Sequence, residues 1–160
     1  MKRVNLIFAN EEYQHFLKEL CFVERNRIFC RHTTEHFFDT ARIMYIISLE
    51  EKLQISKDII YAAALLHDIG RVMQYKSQIP HDEASADFAT RLLPKCGFSE
   101  IETQQIVKAI LTHRRYEHDT ENVLGELLYR ADKLSRLCFC CNASGECYWD
   151  KNRKNSEIIY

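Results

Sequence analysis

Turn-forming residues are scarce in this chain, with 4 Gly and 2 Pro in 160 residues. A fold of many short strands needs more punctuation than that, so the scarcity points to long helices. No single sign of charge dominates. Lys and Arg are interspersed with Asp and Glu, the formal net charge is -1, and no global basic field argues for a nucleic-acid polymer as partner. No apolar run reaches the length of a membrane span. The segment from Met1 to Asn10 is too short and too quickly polar for a signal peptide, so a soluble cytoplasmic protein is expected. What is present, 46% hydrophobic and 28% charged residues, suits one ordinary domain with one core.

The periodicity predicts about six helices and no internal repeat. Asn10 caps a first helix running through Cys21, with Phe16, Leu17, Leu20 and Val23 on one side. A second spans about Thr33 to Glu51, with His36, Thr40, Ile43, Met44 and Ile47 turned inward. Ser56 caps a third, whose spacing aligns Ile59, Ile60, Ala63, Ala64 and His67, and Gly70 suits its terminator. A loop through Pro80 leads to a fourth helix, His81 to Leu93, ended by Pro94 and Gly97. Ser99 with Glu102 is a capping-box pattern for a fifth, ending near His113. A sixth runs from Glu121 to Leu137, and Asp132 lies on the edge of its apolar stripe. The stretch from Cys138 to Tyr160 is irregular by composition, with a short extended end at Ile158 to Tyr160.

Ligand-type residues fall on these inward faces. The dipeptide His67-Asp68 carries little weight alone, but it closes the small, apolar run Tyr61-Ala-Ala-Ala-Leu-Leu66. Burying an unpaired polar group costs roughly 2–7 kcal/mol, and a carboxylate needs a charged or hydrogen-bonding partner there. A cation would be one. His36, His81, His113 and Asp132 occupy comparable positions on other segments. Imidazole and carboxylate without thiolate suit a catalytic rather than a structural metal. Six protein ligands exceed what one metal takes while keeping a position for water, so two metals sharing a carboxylate fit better. The plain alternative is that His36 with Asp132, and His67 with Asp68, are polar pairs satisfying each other in the core. His32 competes with His36 for the first-ligand role, though it lies before or at the helix start. His15 and His118 read as surface residues. Tyr61, Tyr75 and Tyr116 could touch a base or simply pack.

The order His36, His67-Asp68, His81, His113, Asp132 resembles the two-metal form of the HD superfamily of metal-dependent phosphohydrolases. His36-Phe-Phe-Asp-Thr-Ala41-Arg, Ala64-Leu-Leu-His-Asp-Ile-Gly-Arg71 and Arg130-Ala-Asp-Lys-Leu-Ser135 are similar to that family's motifs. The likeness spans residues 33 to 137 and is nearest to the small bacterial group that includes the symmetrical diadenosine tetraphosphate hydrolases. It implies an all-α HD-domain bundle in which His36, His67, Asp68 and Asp132 hold one ion. Asp68 then bridges to a second ion completed by His81 and His113, and a hydroxide between the ions is the nucleophile. The ions would be divalent, Fe or Mn first, with Zn, Ni, Co or Mg as alternatives. Arg71 is placed to grip a phosphate, or else is only a helix-end cation; Arg114, Arg115 and Lys133 are further candidates for the same work. The substrate implied is a small phosphorylated molecule, most naturally a nucleotide. A di-iron oxygenase on the same scaffold and a non-catalytic ligand sensor are the rival functions. Oligomeric state is open, a homodimer being one arrangement.

Seven cysteines are an odd and high number for a chain without a disulfide framework. Four crowd between Leu137 and Trp149. Cys138, Cys141 and Cys147, with Cys140 as an alternative member and Cys30 as a fourth thiolate, have a spacing that could bind metal. A structural zinc would staple the tail, residues 138–160, to the HD domain, residues 1–137. An iron–sulfur cluster is the second form of this site, and free reduced thiols are the third.

Overall fold

A computed structural model describes residues 1–114 and 122–160. Among the described residues the chain forms eight α-helices and no strand. These are α1 (Lys2–Ala9), α2 (Glu11–Val23), α3 (Thr34–Glu50), α4 (Lys57–Leu66), α5 (Arg71–Ser77), α6 (His81–Leu92), α7 (Glu100–Thr112) and α8 (Val123–Leu134). Single 3-10 turns follow at Pro94–Cys96 and Cys138–Cys140. Among the described residues, no helix is long and apolar enough to cross a membrane.

Five of the eight helices, α2, α3, α4, α7 and α8, start at short polar side chains that satisfy otherwise orphaned backbone N–H groups. Asn10 accepts from Tyr13 N, Ser56 from Ile59 N, and Asn122 from Gly125 N. Ser99 and Glu102 form the reciprocal capping box expected for α7. Thr33 accepts from the backbone N–H of His36, which fixes the first turn of α3 and with it the entry of that histidine.

The central element is α4. From Ile59 to Leu66 every residue is buried, and Ala62, Ala63 and Ala64 let neighbouring helices approach its axis closely. It packs against α1, α3, α6, α7 and α8. Leu65 and Leu66 are fully covered, each such burial contributing about 1.5–3 kcal/mol. The Tyr13 hydroxyl donates to the Leu65 carbonyl at 2.9 Å, tying α2 to the C-terminal end of α4.

Two short helices differ from the sequence expectation. The opening segment folds as α1, with Val4 and Ile7 in the core. The supposed loop after Gly70 contains α5, so Gly70 is the residue preceding a helix rather than a simple terminator. The reason for glycine there is space. A Cβ would lie 2.5 Å from the His81 carbonyl oxygen and 2.5 Å from Ser85 N. The Gly70 N–H also donates to Ser85 Oγ at 2.8 Å, which locks the turn after α4 to the start of α6. Gly70→Ala is expected to destabilise the fold by about 1–3 kcal/mol, as overpacking does. A melting temperature equal to that of the parent chain would contradict this. Helix α8 is shorter than predicted, ending at Leu134, and its expected first residue Glu121 lies outside the described residues. The end at Ile158 to Tyr160 forms no strand, and the Tyr160 hydroxyl donates to Glu50 on α3.

Candidate metal centre

Helix ends and turns, rather than helix middles, deliver the polar cluster. His36 sits in the first turn of α3. His67 and Asp68 occupy the turn that follows α4, His81 is the first residue of α6, His113 follows the last residue of α7, and Asp132 lies in the last turn of α8. All six are buried. Their ligand atoms form two groups, each within 4.8 Å: His36, His67, Asp68 and Asp132, and then Asp68, His81 and His113. Asp68 belongs to both. Its Oδ2 is 3.3 Å from His67 Nε2, while its Oδ1 is 3.2 Å from His81 Nε2 and 3.6 Å from His113 Nε2. Asp132 Oδ1 is 3.3 Å from His36 Nε2 and 3.8 Å from His67 Nε2.

Each imidazole is held from behind. His67 Nδ1 faces the Ala64 carbonyl at 2.7 Å, and His113 Nδ1 the Ile110 carbonyl at 2.5 Å. His81 Nδ1 faces Gln74 Oε1 at 2.8 Å, and His36 Nδ1 faces Ser135 Oγ at 3.0 Å. The Ser135 hydroxyl itself donates to the Asp132 carbonyl, so towards His36 it accepts. An acceptor behind each ring takes an Nδ1–H and turns Nε2 towards the two carboxylates, the orientation that suits a histidine holding a metal.

Several of these atoms lack hydrogen-bond partners. His67 Nε2, His81 Nε2 and both carboxylate oxygens of Asp68 are buried without one. Such atoms are costly to leave unsatisfied, and a cation among them would satisfy all four. The donor set, imidazole and carboxylate only, fits a divalent metal ion.

The charges are arranged accordingly. Burial would raise the Asp68 carboxyl, but Arg71 and the rings of His67 and His32 outweigh it and hold Asp68 well below the usual carboxylate range. Asp132 is likewise ionised: burial opposes, and His36, His67, Arg136 and Lys133 prevail. For His67, burial lowers the pKa but Asp68 and Asp132 push it up to about 9, so this spot attracts positive charge. Burial takes His36 down to about 4 and His81 down to about 3. The consequence for the metal-free fold has a definite sign. Below the ordinary 6.5 the unfolded chain takes up protons that folded His36 and His81 refuse, so stability falls as pH drops towards 4 and 3. The raised His67 contributes stability that is complete below 6.5 and lost as pH rises through about 9. Chelator-treated protein should therefore melt highest near pH 6.5, and a maximum above pH 8 would contradict this charge arrangement.

Sequence reasoning did not place Glu24 and Arg136 in the cluster, and it weighed His32 only as a rival to His36, whereas His32 stands beside Asp68 in addition to His36. His32 lies outside any helix, yet its Nε2 is 3.3 Å from Asp68 Oδ2. Buried Glu24 holds its other nitrogen at 2.7 Å and accepts from the His32 backbone N–H at 2.7 Å. Arg136 donates to Asp132 Oδ1 and to His36 Nε2, each at 3.1 Å. Its spacing of four residues from Asp132 was the available signal, and for His32 it was the nearness to His36; for Glu24 there was none.

Of the other candidates, Arg71 opens α5, where the helix dipole does not favour a cation, and its Nε is 2.9 Å from Asp68 Oδ1. Lys133 Nζ is 2.5 Å from Asp132 Oδ2. Arg114 is half exposed and pairs with Asp82, while Arg115, Tyr116 and His118 lie outside the described residues. Tyr61 packs in the core and Tyr75 donates to Glu24. His15 is exposed, 3.6 Å from Glu19. A cleft of about 740 Å³ opens over the cluster, with Arg71, His81, His113, Asp132 and Lys133 in its wall.

The sequence pattern of the HD domain matches residues 33–137. A protein of Clostridium beijerinckii described as an uncharacterized protein is 42% identical over 160 residues, covering the whole of both chains. The crystal structure of a predicted HD superfamily hydrolase from an uncultured Thermotogales bacterium superposes with a TM-score of 0.63 at 25% identity, over 96% of this chain and 87% of that one. The matched span opens at the residue that caps α3 and runs past Asp132, so it takes in all six buried ligand-type residues, and the chain belongs to the HD domain family.

Proposed function

We propose that the protein is a metal-dependent phosphohydrolase that cleaves a phosphate ester or anhydride of a nucleotide, using two divalent ions that share Asp68. The carrying observation is the division of ligand atoms into two groups with Asp68 common to both, one oxygen facing each side. Four histidines and Asp132 complete the two sets, with His32 as an additional donor beside Asp68. Ions bound there would supply Lewis-acid chemistry, acidifying water and neutralising charge on a phosphoryl group.

The chain's own residues do the rest. Arg71 and Lys133 stand at the rim of the carboxylates and present N–H donors to phosphate oxygens entering from the cleft. Arg114 and Arg153 also line the cleft and extend its cationic wall. Phe29, Tyr148 and Trp149 offer aromatic faces in the same cleft, which suits a base better than a bare sugar phosphate. Depth and burial keep bulk water from competing at Asp68.

The deciding experiment is a hydrolysis screen of nucleotides, dinucleoside polyphosphates and generic phosphate esters, each with Mn, Fe, Co, Ni and Mg. Hydrolysis that requires metal and disappears in His36→Ala supports the reading. Turnover that instead consumes O2, or hydrolysis surviving in His36→Ala, would sink it.

A further inference from the structure

A second cluster lies beside the first and belongs to no part of the phosphohydrolase reading. Cys30, from the turn before α3, and Cys138, Cys141 and Cys147, from the C-terminal tail, line one cavity of about 350 Å³. More than a hundred residues of chain separate the two contributing segments. The Cys138-x2-Cys141 step is wound into a hydrogen-bonded turn: Cys140 N donates to the Leu137 carbonyl and Cys141 N to the Cys138 carbonyl. Cys30 is fixed by Arg27, whose Nε donates to its carbonyl at 2.9 Å, and Arg136 ties the adjoining Arg31 carbonyl to the α8 side. None of the seven cysteines is in a disulfide.

The tail needs a staple that its own packing does not provide. Among residues 138–160 only Ala143 is buried. The remaining anchors are polar, chiefly Asn155 Nδ2 donating to the carbonyls of Lys133, Leu134 and Arg136, with an edge contact between Phe29 and Tyr148. So little apolar burial does not hold a segment of this length in one place, whereas metal ligation couples directly to folding. Electrostatics agree. Burial raises the Cys30 thiol, Arg136 opposes, and the neighbouring thiols of Cys138, Cys141 and Cys147 add to the rise. Four thiolates around one cavity would repel one another unless a cation joined them, and Arg136 supplies one positive charge at the edge.

We propose that Cys30, Cys138, Cys141 and Cys147 ligate a thiophilic metal centre that clamps the tail to the HD domain. The spacing bears on its kind. Among the described residues, ligand atoms within 4.8 Å of one another occur in threes or more only in the His/Asp sets. A single zinc with bonds of about 2.3 Å draws four sulfurs to about 3.8 Å apart. Sulfurs set around a cavity rather than meeting at a point suit an iron–sulfur cluster, whose four thiolates each reach a different iron or share two. Cys30, Cys147 and Trp149 also line the basic cleft, so the centre would brace one wall of it.

The test uses the full chain purified anaerobically, with zinc, iron and acid-labile sulfide measured per chain. Cys138→Ser/Cys141→Ser is compared with Cys140→Ser, since Cys140 borders the cavity outside the proposed four. Loss of one zinc, or of several irons together with sulfide and visible charge-transfer absorption, in the double variant but not in Cys140→Ser supports the site and tells the two forms apart. Alkylation of the wild-type chain, mapped by mass spectrometry, covers the case of a misfolded variant. Cys138, Cys141 and Cys147 should be protected until metal is stripped. Equal metal content in all three proteins, or immediate alkylation of those cysteines in the wild type, overturns the proposal.

Discussion

Asp68→Ala is expected to empty both metal groups and to lower metal-dependent hydrolysis by on the order of 10³-fold, the several kcal/mol of transition-state charge stabilisation that metal ions supply. Each of the other five grouped residues belongs to one group; Asp68 belongs to two. Its loss also strands Arg71, whose Nε lies 2.9 Å from Asp68 Oδ1. Removing one partner of a buried pair costs about 3–5 kcal/mol, so reduced stability is expected with the alanine. Asp68→Asn separates the two effects, because it keeps the shape while removing the charge. The amide variant should fold, by circular dichroism, and still fail to retain metal by elemental analysis. A folded Asp68→Asn protein with full metal content would refute the role of Asp68 as the shared ligand. Glu24→Gln is the graded companion. It weakens the support behind His32 together with the Tyr75 hydrogen bond, and changes to groups that orient a metal-holding residue typically cost 10–100-fold in affinity or activity.

What could be read from the chain alone was the set of elements with strong local signals. The caps Asn10, Ser56 and Ser99 and the apolar stripes of α2, α3, α4, α6 and α7 are encoded within a few residues of one another. The short helices α1 and α5 were not legible, because neither has a side-chain cap and α5 has seven residues. The site divides along the same line. His36, His67, Asp68, His81, His113 and Asp132 could be nominated because each stands beside a periodic stripe or within a familiar string. His32, held from behind by Glu24, reaches Asp68 through the packing of an irregular segment against α5, where Tyr75 hydrogen-bonds Glu24. No local pattern specifies that approach. Likewise, Cys30 could be paired with the tail cysteines only as a supposition about where two chain segments end, since thiol spacing within the tail says nothing about a partner a hundred residues away.

His81→Ala/His113→Ala should convert a two-ion centre into a one-ion centre. These residues meet only the Oδ1 side of Asp68, whereas His36, His67 and Asp132 are grouped around its other side. Their rings are pinned by Gln74 and by the Ile110 carbonyl, so their removal leaves the acceptors behind the remaining histidines in place. Metal content is therefore expected to fall from two ions per chain to one, without loss of fold. Hydrolysis should fall by roughly 10²–10³-fold, because one ion held by the remaining ligands would supply less charge neutralisation at a phosphoryl group than two. Arg71 makes the comparison sharper. It contacts Asp68 from the same side, Nε to Oδ1, and Arg71→Ala should leave both ions bound while raising KM for a phosphorylated substrate. On the proposed reading, this pair of results would separate two functions that share one carboxylate oxygen, metal binding by the histidines and phosphate binding by the arginine. If the double histidine variant kept two ions, the second group would not be a metal site. If wild-type protein carried one ion and the variant also carried one, His81 and His113 would instead be polar partners of Asp68 in a mononuclear centre.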